Sequence, residues 1–194
     1  MLKRIMAAVV LLAVGSVTHL NAAGGVLARF DGGIGVDPVS SFSFPLHAPD
    51  ATGQTFENVT RNIVRGVRSS TAIWRIADLK AVVDVDGRIR VAGRGLLIGS
   101  GDQIGQSLNL LVVATLICDA QAPFVELNSA DSMNGNSFEG AVPLDRRGDF
   151  HIDAVLRSTA GDPVPSECAS PLLLIRARSG AWLAAGIPQF GRDY

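Results

Sequence analysis

The sequence predicts an all-β protein, either a β-sandwich or a barrel-like sheet of about eight strands, with one disulfide. Three observations support this fold class. Apolar and polar residues alternate over short segments, turn residues recur every few positions between them, and no segment beyond the N-terminus has convincing helical periodicity. The chain has 194 residues and is 47% hydrophobic, which is sufficient for one domain with a packed core.

The charge composition is balanced. Lys and Arg total 17, Asp and Glu total 18, and no long run of like charge occurs. Because nothing in this composition suggests a basic surface, we expect no nucleic-acid partner. Only 18% of the residues are charged and 21 are glycines, which is typical of a loop-rich and turn-rich protein.

Residues 1–23 have the three-part pattern of a secretory signal peptide. Lys3 and Arg4 provide the positive start, an apolar run follows over 5–17, and small residues end the pattern. This run of about 13 residues is shorter than the roughly 20 that span a bilayer, which favours cleavage over an uncleaved membrane anchor. We therefore expect a secreted or periplasmic protein that begins near Gly24 and has no membrane association after cleavage.

The cysteines are Cys118 and Cys168, both in the expected mature chain. Export and an even cysteine count favour a disulfide between them, with two free thiols as the alternative. Closing a loop of about 50 residues would stabilise the fold by roughly 4 kcal/mol in the chain-entropy model. Neither cysteine lies in a Cys-x-x-Cys motif or near a histidine, so a catalytic role is disfavoured.

Three further regions follow the signal peptide. Residues 24–57 are rich in Gly, Pro, Ser and Asp and predict an irregular N-terminal arm with one short edge strand around 26–30. Residues 58–190 predict the all-β domain, and 191–194 a tail. Within 58–67 the arginine spacing fits a short helix, but the β-branched residues favour a strand or loop.

The clearest hairpin surrounds the three residues 85–87. A three-residue loop pairs Val83 with Ile89 and keeps one face of the hairpin apolar, whereas a two-residue loop would pair Val83 with Arg90 and mix the faces. The three-residue loop also places Gly87 at the left-handed position of a type I turn with a bulge. Pattern and turn chemistry therefore predict the same register.

The same turn chemistry recurs at 145–148. The corresponding register would place Leu144 opposite Phe150 and Val142 opposite Ile152. It also sets Asp145 opposite Asp149, a mild like-charge penalty that the arginines of the turn would offset.

The remaining elements are also strands. The run 107–118 is apolar on both faces, which predicts a central strand covered on each side, with a buried helix as the rival interpretation. A short strand is expected at 124–127, a polar loop at 128–137, and a final hairpin over 171–187. In that hairpin Arg176 would face Trp182, which we interpret as a core residue or the cation–π partner of an arginine.

Candidate catalytic groups are few. His151 lies between Asp149 and Asp153 in a predicted strand, and a His–carboxylate pair could act as a general base. No nucleophile accompanies it, so we interpret His151 as a solvated surface residue. The glutamates Glu57, Glu126, Glu139 and Glu167 have no patterned context for glycoside hydrolysis.

The segments that resemble cofactor or metal motifs lack the residues or elements that those motifs require. The segment 84–87 resembles a calcium loop, but an EF-hand would need carboxylates where Val82 and Gly93 stand. Loop carboxylates such as Asp102, Asp119 or Asp131 remain as unsupported calcium ligands. The glycine-rich segment 99–105 lacks the helix N-terminus of a phosphate loop, and we interpret it as a hairpin connection. We expect no cofactor, no metal site and no catalytic residue.

The function expected from these features is a non-catalytic binding or structural role outside the cytoplasm, towards a protein or a surface, with unknown binding residues. One alternative is a small extracytoplasmic enzyme whose site assembles from distant strands. Another is a lipocalin-like carrier of an apolar ligand. A convergent polar cluster would indicate the enzyme, an internal apolar cavity the carrier, and a filled core with an exposed apolar patch the binding role.

Overall fold

The computed structural model of the protein describes residues 25–42, 58–133 and 137–190. The predicted signal peptide, residues 43–57 of the predicted arm and the tail lie outside these ranges. The described residues form strands and no helix, which confirms the all-β fold class. The strands are β1 (Val26–Gly35), β2 (Val39–Phe42), β3 (Asn58–Arg61), β4 (Ile63–Val64), β5 (Val67–Arg68), β6 (Trp74–Arg75), β7 (Asp78–Asp84), β8 (Arg88–Arg94), β9 (Leu97–Ile98), β10 (Leu111–Ile117), β11 (Leu127–Asn128), β12 (Asp131–Met133), β13 (Ser137–Glu139), β14 (Val142–Pro143), β15 (Phe150–Val155), β16 (Arg157–Ser158), β17 (Leu172–Ala177) and β18 (Trp182–Pro188).

The long strands form one antiparallel sheet that nearly closes into a barrel. Its strand order is β15-β8-β7-β1-β18-β17-β10-β11-β16, and β14 pairs with the start of β10. The first and last strands of this path, β15 and β16, are separated along the chain by Leu156 alone. The path therefore returns to the stretch of chain where it began. In the part of the chain that the structure describes, we find no helix with the length and apolarity of a bilayer-spanning segment.

Strands β7 and β8 alternate strictly between the barrel interior and the solvent. Val83 pairs with Ile89 and Ala81 with Val91, which confirms the register predicted from the three-residue loop. Gly87 has a φ of 83°, as the turn chemistry requires, and its N–H donates to the carbonyl of Asp84 at 2.9 Å. Local sequence signals therefore specify this hairpin correctly.

Strands β10 and β17 are buried on both faces, as predicted for the run 107–118. The outer faces of these strands are buried because two hairpins contact the β10–β17 pair. Phe138 of the β12–β13 hairpin is buried, and its N–H donates to the carbonyl of Arg178, which follows β17. The guanidinium of Arg65, in the β4–β5 turn, donates to the carbonyls of Ile117 and Ser170 at 3.0 and 2.7 Å. The segment 58–67 is thus extended rather than helical.

The prediction of an irregular arm with a short edge strand at 26–30 was wrong for the part described. Strand β1 is ten residues long and lies inside the sheet, between β7 and β18. Its glycines allow a close approach of the backbone to neighbouring groups. A Cβ on Gly35 would lie 2.2 Å from the carbonyl oxygen of Trp74.

The second predicted hairpin is correct at its turn and wrong in its ladder. The N–H of Gly148 donates to Asp145 at 3.0 Å, and Gly148 has a φ of 78°. Strand β14, however, pairs with the start of β10 instead of β15, so Val142 lies opposite Val112. Strand β15 pairs with β8, and the two-residue β14 extends the edge of β10. The carboxylate of Asp145 accepts backbone N–H groups of Arg147 and Asp149, which compensates its charge.

Two smaller predictions also need correction. The strand expected at 124–127 begins only at Leu127, because the preceding Val125 donates its N–H to the carboxylate of Asp119 at 3.0 Å instead of joining a ladder. The loop expected at 128–137 contains β12 and the start of β13, which pair with each other. The final hairpin is present, and Arg176 lies opposite Trp182 as predicted.

Cys118 and Cys168 form the predicted disulfide, with an S–S distance of 2.01 Å. Cys118 follows β10 directly, and Cys168 precedes β17, so the crosslink lies at one end of the β10–β17 ladder. A disulfide of this kind indicates a non-reducing compartment.

The interior of the barrel is filled by apolar side chains from all the long strands. Buried positions alternate with outward ones on the β7–β8 side and continue without interruption on the β10–β17 side. The fully buried members include Leu79, Val83, Ile89, Leu116, Leu173 and Ile175.

Candidate functional site

A depression of about 350 Å³ lies on the outer face of the sheet, where β1, β7, β8 and β15 have no covering layer in the described structure. We call it the open-face depression. Paired strands place outward side chains in two rows across this face. The rows are Asp31, Lys80, Ala92 and His151 in the first, and Arg29, Val82, Arg90 and Asp153 in the second.

The floor of the open-face depression is apolar because small side chains occupy the middle of each row. Val82 and Ala92 line it, with the backbone of the strands beneath them. Both are flanked by long cationic side chains, Lys80 beside Ala92 and Arg90 beside Val82. A flat apolar floor with charged walls therefore results directly from the alternation of β7 and β8.

The depression is lined by more cations than carboxylates. Arg29, Lys80 and Arg90 line the depression, against one carboxylate, that of Asp31. Lys80 Nζ lies 3.3 Å from Asp31 Oδ1, and Arg90 pairs with Asp84 at 3.0 Å. Arg29 has no ion-pair partner in the described part of the chain. These groups are largely exposed, so solvent and salt screen their field and leave them free to rearrange around a ligand.

One wall is set by an irregularity in β1. The register between β1 and β18 shifts between Phe30 and Gly33, and Gly32 has a φ of 92°. Beyond the end of β18, Gln189 donates its backbone N–H to the carbonyl of Arg29 at 2.8 Å and lines the depression. A β-bulge at such a position redirects side chains, a feature that is frequent next to functional sites.

His151 also lines the open-face depression, so the structure places the one candidate base inside it. Its ring is exposed and makes no hydrogen bond or ion pair within the described residues. Asp149 is engaged elsewhere, since its carboxylate accepts the N–H of Gly95 at 2.9 Å. Asp153 shares the outward face with His151 but adjoins Arg90 in the other row. The structure thus pairs His151 with neither of the two aspartates that flank it in the sequence.

The other carboxylates considered from the sequence are dispersed. Glu126 pairs with Arg176, and the guanidinium of Arg176 also donates to the carbonyl of Gly180 at 2.7 Å. Asp86 accepts the N–H of Arg88 within its turn. Glu57 lies outside the described residues. Within those residues no group of three or more His, Cys, Asp or Glu side chains is arranged to hold a metal ion.

A smaller polar depression of about 240 Å³ adjoins the β12–β13 hairpin. Asp131 and Glu139 lie directly opposite each other in it, and Arg157 approaches Asp131 at 3.6 Å. Like charges placed opposite in a sheet repel, so Arg157 relieves a local penalty. The interaction has a structural explanation that needs no ligand.

The glycine-rich segment 99–105 is a compact connection between β9 and β10. The N–H of Gly105 donates to the carbonyl of Ile98 at 2.8 Å, and the N–H of Ile98 donates to Gln106 at 3.0 Å. Of the two interpretations of Trp182, the structure supports the core residue. Trp182 is buried in the core, and Arg176 lies over the ring of Phe138 instead, 5.0 Å from its centroid.

The sequence did not identify the residues of the open-face depression as a site. Lys80 and Arg90 were recognisable as outward positions of a predicted hairpin. Arg29 was not, because its strand was placed in an irregular arm. The chain matches no model of a known protein family, no curated protein and no solved structure.

Proposed function

We propose that the protein is a non-catalytic binding protein that acts outside the cytoplasm, and that its open-face depression binds small organic anions with an apolar body. One observation carries this proposal. The cations Arg29, Lys80 and Arg90 surround an apolar floor formed by Val82 and Ala92. Arginine forks bind carboxylates and similar anions with directional, charge-assisted hydrogen bonds.

The size of the depression is compatible with this ligand class. About 350 Å³ lies at the lower end of the range for small-molecule sites. Because the depression is open to solvent and its cations are screened, we expect weak binding of single-ring anions, with dissociation constants near the millimolar range.

A surface site fits the rest of the structure better than the two rival functions. The described barrel interior is filled with side chains such as Leu79 and Ile89, which favours an external ligand over one carried inside. His151 has no described hydrogen-bond partner that would orient it as a base, which favours binding over catalysis. A compartment outside the cytoplasm is supported by the disulfide and by the signal-peptide pattern at 1–23.

The test is an NMR titration of the full chain with benzoate, compared with benzyl alcohol and acetate. Benzoate has both the charge and the apolar body, whereas each of the others lacks one. We expect saturable shifts of β7 and β8 amides with benzoate alone. Arg90→Ala should weaken benzoate binding about tenfold, the effect of one charged hydrogen bond.

Arg94→Ala is the matched control. Arg94 lies on the same strand and face as Arg90 and also pairs with a carboxylate, that of Asp78 at 3.2 Å, but it does not line the depression. Its removal should leave benzoate binding unchanged. Equal losses in both variants, or shifts that do not saturate, would contradict the proposal.

A further inference from the structure

We infer that the ligand of the open-face depression is a single-chain anionic amphiphile, such as a fatty carboxylate. Its head group contacts Arg29, Lys80 and Arg90, and its chain lies along an apolar stripe formed by Ile187 and Ile34. This inference rests on the proposed function and names the ligand class of the same site.

The apolar stripe lies on the outer faces of two neighbouring strands. Ile34 of β1 is 59% exposed and Ile187 of β18 is 39% exposed. Ile34 pairs with Ala185, so Ile187 is its diagonal neighbour two residues further along β18. Diagonal side chains on one face of an antiparallel pair are within reach of each other. The two isoleucines therefore form one continuous apolar surface rather than isolated exposed residues.

The β1 bulge places Ile34 on the outer face. Phe30 points into the barrel, and strict alternation would turn residues 32 and 34 inward as well. The register shift between Phe30 and Gly33 adds one residue, so Gly33 points inward instead. A Cβ on Gly33 would lie 2.9 Å from Ile76. The extra residue thus exposes a large apolar side chain that regular pairing would bury.

The stripe is continuous with the open-face depression. Asp31 and Gln189 line the depression, Gly32 follows Asp31, and Ile187 lies two residues before Gln189. A Cβ on Gly32 would lie 3.1 Å from Cδ1 of Ile187, so this isoleucine extends across the glycine towards the depression. Gly32 contributes no side chain between Ile187 and the wall of the depression at Asp31, whose carboxylate pairs with Lys80. A ligand with its charge in the depression can therefore lay a chain directly on Ile187.

Charge and shape together favour a free amphiphile over a membrane surface. The cations stand around a depression of about 350 Å³, and one head group fits between them beside the apolar floor of Val82 and Ala92. The stripe is one chain wide, and Ile187 lies two β18 residues from Ala185, the partner of Ile34, which is roughly 7 Å at about 3.3 Å per residue. This length accommodates one medium-length acyl chain.

The experiment measures dissociation constants of butanoate, hexanoate, octanoate and decanoate for the full chain, by NMR titration below micelle-forming concentrations. We expect binding to tighten about twofold for each added methylene, as for a chain buried on one side only. Ile187→Ser should remove most of this dependence on chain length and leave benzoate binding intact. Ile34→Ser should reduce only the gain in affinity between octanoate and decanoate.

Ile104→Ser is the matched control, because Ile104 is also an exposed isoleucine and lies in the 99–105 connection, outside both the stripe and the depression. It should leave the whole chain-length series unchanged. Because all three isoleucines are exposed, the variants are expected to fold, and this is checked by their amide spectra.

The outcomes separate this inference from the proposed function. Benzoate binding without dependence on chain length overturns the amphiphile inference and leaves the proposed function standing. Absence of binding by benzoate and by every fatty carboxylate overturns the proposed function and this inference with it. Binding to phosphatidylglycerol vesicles but to no monomeric carboxylate, or self-association in sedimentation that Ile187→Ser abolishes, would assign the stripe to a membrane or to a second copy and overturn the inference.

Discussion

The two sides of the barrel are built from the same antiparallel ladder and differ in what lies outside it. On the open side, β7 and β8 alternate between buried and exposed residues, and their outer face carries charged side chains. On the covered side, β10 and β17 are buried almost throughout, and two hairpins form a second layer. The candidate site lies on the open side, where the outer face of the described strands is exposed.

The same contrast appears in the ion pairs. On the covered side the guanidinium of Arg176 is 7% exposed, pairs with Glu126 and stacks over Phe138. On the open side Arg94 is 70% exposed and pairs with Asp78 in solvent. The ion pair of the covered side is therefore largely shielded from solvent, whereas that of the open side is exposed and screened.

The largest expected effect concerns the disulfide, which crosslinks the covered side. Cys118→Ser should lower the free energy of unfolding by about 4 kcal/mol, because the open chain gains the entropy of a loop of roughly 50 residues. Urea unfolding at 25 °C measures this loss, and amide exchange should accelerate more in β10 and β17 than in β7 and β8.

The control for the disulfide is the wild-type protein with and without reductant, beside the double variant in which both cysteines are serine. All three reduced or substituted forms should unfold at similar urea concentrations. An unchanged midpoint on reduction would show that the crosslink contributes nothing to the covered side.

The next effect compares two arginines, one from each side. Arg176→Ala should cost about 3 kcal/mol of unfolding free energy, because it removes a buried charged donor to the carbonyl of Gly180 and the packing of that side chain over Phe138. Arg94→Ala should cost less than about 1 kcal/mol, since an exposed pair contributes little. Equal costs in chemical unfolding would remove the energetic distinction between the two sides.

The smallest effect tests the turn that joins β7 to β8 on the open side. Gly87→Val should cost about 2 kcal/mol, because a β-branched residue resists a φ of 83° and a Cβ there would lie 2.8 Å from Val164. Gly161 has the same φ, with no atom within 4 Å of its Cβ position, so Gly161→Val should cost about half as much. Thermal unfolding that ranks the two variants in the reverse order would refute the steric part of this argument.

The elements predictable from the sequence are those specified by neighbouring residues. The β7–β8 register follows from alternation and the position of Gly87, and the covered strand β10 follows from its unbroken apolar run. These three signals are local: burial on one face, burial on two faces and a positive φ. The disulfide was predictable because only one pairing of two cysteines exists.

The elements that could not be predicted depend on distant partners. Strand β1 contains glycines that disfavour a strand locally, and only its packing against β18 and Trp74 explains them. For the same reason the candidate site was not predicted, since Arg29 comes to lie on the same face as Arg90 only when β1 pairs with β7. The turn that follows β14 was predictable from its own residues. The pairing of β14 with β10 was not, because that edge exists only in the folded barrel.

The return of the sheet path to its starting point leaves a seam between β10 and β15. This seam is bridged at its ends, by β14 where β10 begins and by β11 and β16 where it finishes. Breathing motions part a structure first where backbone pairing is sparsest. We therefore expect hydrogen exchange along this seam to be faster than within the paired strands β15, β8, β7 and β1, which form the open face.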